Sequence, residues 1–400
     1  MRILHIGFDS HFVDYLVARF EQQQPGANEL IVVSHTEPAE RERAFAGPRT
    51  WLQPRAEHVV EVQEKAAAVD VVVVHAMTEF AALVCAELPS GVLLVWSGFG
   101  YDYYVGESGV DLVGERTLAL VQRTSGGRQP DRNGKLVLEW ERARLEPLAV
   151  DFVRQRAAAR ADYFSAPIDA DLDVFARAFP GFAGEYRQLN YGDLASMAPT
   201  RDAVVTGDDI LVGNSASWAN NHLEAFRLLA KADLGDRRVV VPLTYGDDAY
   251  RDAVLAAGRR KLGERFHPLV DHLPIQEYLT LLGSCGVVLF NHRRQQGVGN
   301  IVAALQQGAH VYLDRRNPLF GWLRDRDVVV QPPRALLDQV PVGPVPDEQL
   351  DHNRRVLTET WSEDRVEANL RSLLEELEAR LSASARRVRR PRAFAARRAR

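Results

Sequence analysis

Residues Val287–Gly308 read VVLFNHRRQQGVGNIVAALQQG, and this stretch decides the fold. An apolar run, Val287 to Phe290, leads into a polar, basic, glycine-containing turn from Asn291 to Asn300. A helix-like segment follows and stops at Gly308, and a second apolar run comes at His310 to Leu313. Strand, loop, helix and strand at this spacing form the repeating unit of a parallel sheet. The loop then falls at the sheet's C-terminal edge, where such sheets bind ligands. Gly297 and Gly299 let the backbone approach a ligand closely. Asn300 is expected to cap the new helix, whose free N–H groups attract anions. Arg293 and Arg294 add positive charge that suits a diphosphate. The segment alone leaves two readings open: a diphosphate loop, or an ordinary connection with surface arginines.

The same alternation runs outward through most of the chain. In the N-terminal half, strands are expected at Arg2–Gly7, Glu29–Ser34, Val69–His75, Gly91–Trp96 and Tyr163–Ser165. Helices are expected at Phe12–Gln22, Arg55–Ala68, Thr78–Leu88 and Asp169–Phe179. After a turn-rich zone at Asn190–Asp209 the pattern restarts. Strands fall at Ile210–Val212, Arg238–Leu243 and Phe266–Pro268, with helices at Asn221–Ala232, Tyr250–Gly263 and Ile275–Ser284. Asp347–Leu381 reads as one or two charged amphipathic helices. Such alternation predicts an α/β protein built on doubly wound parallel sheets. The expected division is a first domain over 1–200, a second over 205–365, a helix over 366–385 and a tail over 386–400. Two such domains in succession suggest a ligand held in the cleft between their strand ends.

Composition narrows the class. Four hundred residues at 46% hydrophobic content support two sizeable cores. No apolar run approaches the roughly 18–20 residues of a membrane span, and MRILHIGFDS has the pattern of a strand rather than a signal peptide. Cys85 and Cys285 sit in apolar runs and read as buried thiols in a reducing compartment. No Cys/His cluster has metal-site spacing. The net charge of −5 conceals an asymmetry, since Arg386 to Arg400 holds eight arginines and no acid. Removing those eight charges leaves the rest of the chain near −13. Such a tail reads either as a solvated extension or as a binder of anionic lipid. The acidic body argues against nucleic acid as a partner. No GxGxxG follows the first strand and no GxxxxGK(S/T) occurs, which excludes ordinary dinucleotide dehydrogenases and P-loop enzymes.

Candidate site residues cluster at expected strand ends. Gly213, Asn214 and Ser215 follow Val212 in GNSASWANNH and could donate to phosphate oxygens. Asn220 or Asn221 could cap the next helix, with Glu224 in its first turn, and His222 reads as a surface residue. Tyr245 and Gly246 follow the strand in VVVPLTYG. His272 precedes a helix, in a loop whose backbone could read a nucleobase edge. In the first half, Asp9 follows the first strand, His75 ends VVVVHAM and Asp102 lies in WSGFGYDYY. Any of these three could take a proton from an acceptor hydroxyl in the cleft. Trp96, Tyr101, Tyr103 and Tyr104 could stack on a sugar or fill core and rim.

The motifs GNSxxxxNNH, VVVPLTYG, QEYLTLLGSC, RRQQGVGN and LDRRNPLFGW, in this order, resemble the 4-acetamido-4,6-dideoxygalactose (Fuc4NAc) transferases of bacterial polysaccharide synthesis. Those enzymes build the lipid-linked repeat of enterobacterial common antigen. The resemblance covers most of the second half and extends weakly into the first through Asp9, His75 and Trp96–Tyr103. It implies a GT-B fold, with two Rossmann-like domains facing each other across a cleft. It also implies a dTDP-sugar donor, a polyprenyl-diphosphate-linked glycan acceptor, no required metal and no cofactor. Asn214, Ser215, Asn221, Tyr245, Arg294, Gln295, Gln296, Gly297 and Gly299 match donor-side positions, as do Asn317 and Pro318. Asn300 stands where a threonine-like residue is expected, and WSGFGYDYY departs from a tighter Trp-Gly-x-Asp pattern. The implied location is cytoplasmic, peripheral on the inner face of the bacterial inner membrane, with the arginine tail on anionic lipid. A GT-B-type nucleotide-sugar 2-epimerase and a non-catalytic sugar-nucleotide-binding scaffold are the alternatives.

Overall fold

The computed structural model describes residues 1–36, 42–104, 111–124, 147–199 and 203–389. Two wholly parallel sheets organise them. The first contains β1 (Ile3–Gly7), β2 (Asn28–Val33), β3 (Arg49–Leu52), β4 (Val71–His75), β5 (Leu93–Ser97), β6 (Tyr163–Ser165) and β7 (Glu185–Tyr186), in the order β3-β2-β1-β4-β5-β6-β7. The second contains β8 (Ile210–Val212), β9 (Val239–Pro242), β10 (Phe266–Leu269), β11 (Val287–Phe290) and β12 (His310–Leu313), in the order β10-β9-β8-β11-β12. Each sheet reverses its winding once, between β1 and β4 in the first and between β8 and β11 in the second. Crevices open at such reversals, because neighbouring connections leave to opposite faces.

The central strands are continuous Val, Leu and Ile runs because helices cover both of their faces. Val72 and Val74 meet one core with Leu94 and Trp96. Val71 and Val73 meet another with Leu16 and Phe20. The second core is completed by Leu370, Leu373, Leu374 and Leu377 of the last helix, Glu363–Arg389, which crosses back from the second sheet to pack on the first. Each of these leucines contributes roughly 1.5–3 kcal/mol by burial. Arg187 pairs with Glu376, and Arg19 with Glu367, along the helix margin.

The short strands β3 and β7, and the helices Glu115–Thr124 and Pro147–Arg160, are additional to the expected layout. Cys85 and Cys285 are buried and unbridged. No helix among the described residues is long and apolar enough to cross a membrane. The tail beyond residue 389 lies outside the described residues.

Candidate functional site

The C-terminal ends of β8, β9, β10, β11 and β12 gather the second-half candidates on one edge. The loops after β8 and β9 are joined: Ala216 N donates to Tyr245 O at 2.7 Å, and Asp247 N donates to Ala216 O at 3.1 Å. Gly246 pairs with Ala216 in this bridge. Asn214 lies at the centre of the edge. Its Nδ2 donates to Tyr245 Oη at 3.1 Å, and its Oδ1 accepts from Gln296 Nε2 at 3.0 Å. Three residues picked from separate motifs thus form one hydrogen-bonded line across three loops. Gly213 ends β8 beside Asn220 and His222. Ser215 faces inward, its carbonyl and hydroxyl accepting from Asn220 Nδ2 at 3.0 and 3.2 Å. His272 is exposed in the loop after β10.

The loop after β11 differs in detail from the expectation. The helix Val298–Gln307 begins two residues before Asn300, so Asn300 lies inside its first turn and does not cap it. Gly297 is the capping position, with φ 63°, a left-handed conformation that glycine adopts without strain. No side chain caps this end, so its first-turn N–H groups are free to meet an anion. Gly299 sits within that turn, beside the Met197 side chain. Asn317 holds the loop from behind, donating to Arg294 O at 2.9 Å and accepting from Leu319 N at 3.0 Å.

The two arginines of this loop part company. Arg293 turns to the first half, donating to Asp111 O at 2.8 Å and Val113 O at 3.2 Å, and its ion pairs are Asp111 and Asp314. It is a structural tie and not a phosphate ligand. Arg294 has no ion-pair partner among the described residues. Its pKa is lowered by burial, partly offset by the tyrosines Tyr104, Tyr103 and Tyr101 and by Asp102. A desolvated guanidinium without a carboxylate is costly unless an anion completes it.

Asn221 is also not a side-chain cap. It takes φ 52°, and its Nδ2 donates to Leu112 O at 3.0 Å and Asn291 O at 3.1 Å, while Gly114 N donates to its Oδ1 at 2.7 Å. It therefore joins the first half to the β11 loop. Next to it, Glu224 accepts from Arg116 N and Thr117 N, capping the helix Glu115–Thr124. His222 is buried, not on the surface, with Nδ1 3.0 Å from Tyr250 Oη, and burial lowers its pKa to about 3.

At the first sheet, Asp9 follows β1 and His75 ends β4, the two strands at its winding reversal. Asp9 pairs with Arg43 and keeps part of its side chain accessible. His75 is fully buried. Its tautomer follows from its neighbours. Asn28 Nδ2 donates to Glu21 Oε2 at 2.8 Å and Gln24 O at 2.9 Å, so Asn28 Oδ1 accepts from His5 Nε2 at 3.1 Å. His5 Nδ1 then accepts from His75 Nε2 at 3.0 Å. The remaining His75 Nδ1 is buried without a partner, and the Tyr191 ring lies 5.9 Å from the imidazole centroid. Burial, then the neighbouring His5, holds His75 neutral with a pKa well below the ordinary value. A weakly basic, enclosed imidazole does not suit the role of base, and that expectation is revised.

Asp102 is revised for a different reason. Its carboxyl accepts from Met77 N at 2.9 Å, Trp96 Nε1 at 2.7 Å and Phe99 N at 2.8 Å, and the residue is 1% exposed. Those three donors fix the loop after β5 and leave no face for an acceptor. Asp102→Ala is expected to cost about 3–5 kcal/mol of stability, since three buried donors lose their partner. A denaturant titration checks this; unchanged stability with lost activity would return the catalytic role to Asp102. Trp96, Tyr103 and Tyr104 are core residues. The aromatic surface at this edge is formed instead by Phe8, Phe12, Phe99 and Tyr101, with Phe8 and Phe99 centroids 5.1 Å apart and Phe12 42% exposed.

The two edges touch. A Cβ on Gly100, at φ 94°, would lie 3.0 Å from Arg294 Nη1 and 3.0 Å from Gln295 O, so only glycine fits without displacing the arginine. Gln295 N donates to Tyr104 Oη at 3.1 Å, and Tyr104 Oη donates to Asp171 Oδ1 at 2.7 Å. Burial raises the Asp171 pKa from 3.8 to about 7, against the lowering effect of the tyrosine hydrogen bonds. A raised acid pKa means the folded state favours the protonated form. That contribution is complete below pH 3.8, declines as pH rises and is gone above pH 7. Asp171→Asn is therefore expected to be more stable relative to the parent at pH 8 than at pH 5, by on the order of a few kcal/mol. Parallel urea titrations at the two pH values check it; an equal difference at both would refute the assignment.

Residues 189–344 match the family model described as 4-alpha-L-fucosyltransferase glycosyl transferase group 56. The solved structure of Anabaena Alr3699/HepE in complex with UDP is similar at a TM-score of 0.61 and 13% identity, covering 94% of this chain and 100% of that one. The apo structure of OtsA is similar at TM-score 0.58 and 10% identity, over 94% of this chain and 99% of that one. The lipopolysaccharide outer core galactosyltransferase WaaB is similar at TM-score 0.53 and 11% identity, over 94% and 99%. These structures share the GT-B fold. The chain is a glycosyltransferase with the GT-B fold, and its second half is similar to group 56. In this glycosyltransferase the family match begins before β8 and ends after β12, so it spans every loop of the second edge. The ties through Tyr104, Asp171, Asp111 and Asn221 escaped the sequence reading, because residues some 70 to 190 positions apart carry no joint local signal.

Proposed function

We propose that this glycosyltransferase moves a 4-acetamido-4,6-dideoxyhexose of the Fuc4NAc type from a dTDP-sugar to a polyprenyl-diphosphate-linked saccharide in bacterial surface polysaccharide synthesis. The second domain, 205–365, would hold the donor, and the first, 1–200, the acceptor at the inner face of the membrane. One observation supports the donor assignment: Arg294 is a half-buried cation with no ion-pair partner among the described residues, next to a helix N-terminus without a side-chain cap, at a winding reversal of the sheet. An anion with two phosphates satisfies both.

The chemistry follows. An acceptor hydroxyl oxygen bonds to the anomeric carbon as the bond to the donor diphosphate breaks, and the leaving oxygen takes the electron pair. Charge grows on the diphosphate, so Arg294 and the first-turn amides near Gly297 stabilise the transition state more than the ground state. Asn214, Gln296 and Tyr245 would fix the sugar-nucleotide, Ser215 and Gly213 would shape the loop, and the backbone around His272 would meet the base. Asp9 would take the acceptor proton, as the accessible member of the three first-half candidates.

Product analysis tests the reading. The dTDP-sugar and a lipid-linked acceptor together are expected to release dTDP and glycosylated lipid, and neither alone should turn over. A 2-epimer formed without acceptor would support an epimerase, and nucleotide binding without any turnover would support a scaffold. A thermal-shift panel over dTDP, UDP and GDP sugars addresses the base, since HepE was solved with UDP-glucose.

A further inference from the structure

Away from the cleft, the helices Glu115–Thr124, His222–Leu229 and Asp248–Leu262 enclose a groove of about 680 Å³. Its walls carry Arg116, Arg123, Arg227, Lys231, Arg260 and Lys261, and no carboxylate among the described residues lines it. All six are exposed, so their charges can reach a ligand. Its floor is apolar, with Leu223, Ala119 and Ala230 accessible over the buried Phe226 and Ala257. The whole chain has a net charge of −5, so this local excess of positive charge runs against the composition.

We infer that the groove seats the headgroup of an anionic phospholipid, with the phosphate among the cations and the first acyl carbons on Leu223, Ala119 and Ala230. Six positive charges around one groove call for an anion, and the apolar floor distinguishes an amphiphile from a free phosphate, which would gain nothing there. The assignment is independent of the arginine tail. Arg116 and Arg123 ride on a helix that follows the Asp111–Val113 segment tied to Arg293, so groove and donor loop share one connected segment. The purpose of the site, access to a membrane-borne acceptor, rests on the proposed function; its lipid binding does not.

The test uses the full chain and vesicles of mixed phosphatidylglycerol and phosphatidylcholine, with pure phosphatidylcholine as control and no donor or acceptor present. Each basic side chain at an anionic surface multiplies binding by roughly fivefold at low salt. The double variant Arg227→Glu, Arg260→Glu is expected to bind the mixed vesicles about 10²-fold more weakly. Its thermal midpoint, nucleotide affinity and transfer to a soluble short-chain acceptor should stay as in the parent, which separates this inference from failure of the proposed reaction. A second variant, Lys231→Glu with Lys261→Glu, should reproduce the loss. Vesicle binding that survives both variants but disappears on deleting residues 386–400 would assign the membrane to the tail and overturn the groove. Inorganic diphosphate binding that is lost in the variants, together with no vesicle binding by the parent, would overturn the lipid assignment.

Discussion

Arg294→Ala is expected to lower kcat/KM about 10²–10³-fold, the range for removing one preorganised donor from developing negative charge. The guanidinium is half-buried beside Gly100 and lacks a counter-ion among the described residues, so its removal should not unfold the loop that Asn317 holds from behind. Stability should stay within error or rise slightly, because a desolvated charge is lost. Affinity for dTDP should fall in the same direction as activity, by a smaller factor, since charge on the diphosphate grows only as the bond breaks. Arg294→Lys should recover part of the loss, because an ammonium keeps the charge but not the fork. Steady-state kinetics with nucleotide titration decide the matter. Unchanged kcat/KM and unchanged dTDP affinity in the alanine variant would remove Arg294 from the site.

Asp9→Asn is expected to lower kcat by about 10²–10⁴ while dTDP affinity stays as in the parent, the range for a lost general base. The amide keeps the shape but cannot accept the proton. Arg43 complicates the reading, since the variant also breaks its ion pair with Asp9. Arg43→Ala is the control: it breaks the same pair and keeps the carboxylate. If both variants lose activity equally, the pair acts structurally and Asp9 is not the base. If Asp9→Asn retains near-normal kcat, the proton leaves by another route.

Within the sequence, periodicity located the central strands of both sheets to within a residue or two. Val71–His75 and Val287–Phe290 are apolar throughout because they are covered on both faces, and that pattern survives without knowledge of any partner. The strand ends followed, and with them the donor-side line Asn214, Gln296 and Tyr245, since in a parallel sheet every strand end lies on one edge. Edge elements were less legible. Arg49–Leu52 is a strand because β2 offers it hydrogen bonds, and its RTWL sequence has only intermediate burial.

Chemical roles depended on contacts far apart in the chain. Asp102 reads as a catalytic base until Trp96, Met77 and Phe99 are seen to use its oxygens, and His75 reads as a base until His5 and Asn28 fix its tautomer and enclose it. Arg293 and Arg294 are adjacent and chemically equal in the sequence; tertiary structure alone gives one of them Asp111 and Asp314 and leaves the other without an ion-pair partner among the described residues. The basic groove is likewise assembled from three helices with no common motif. Local order follows from side-chain periodicity, which the sequence contains. Whether a charge is paired, enclosed or left waiting for a ligand follows from long-range packing, and only the folded chain decides it.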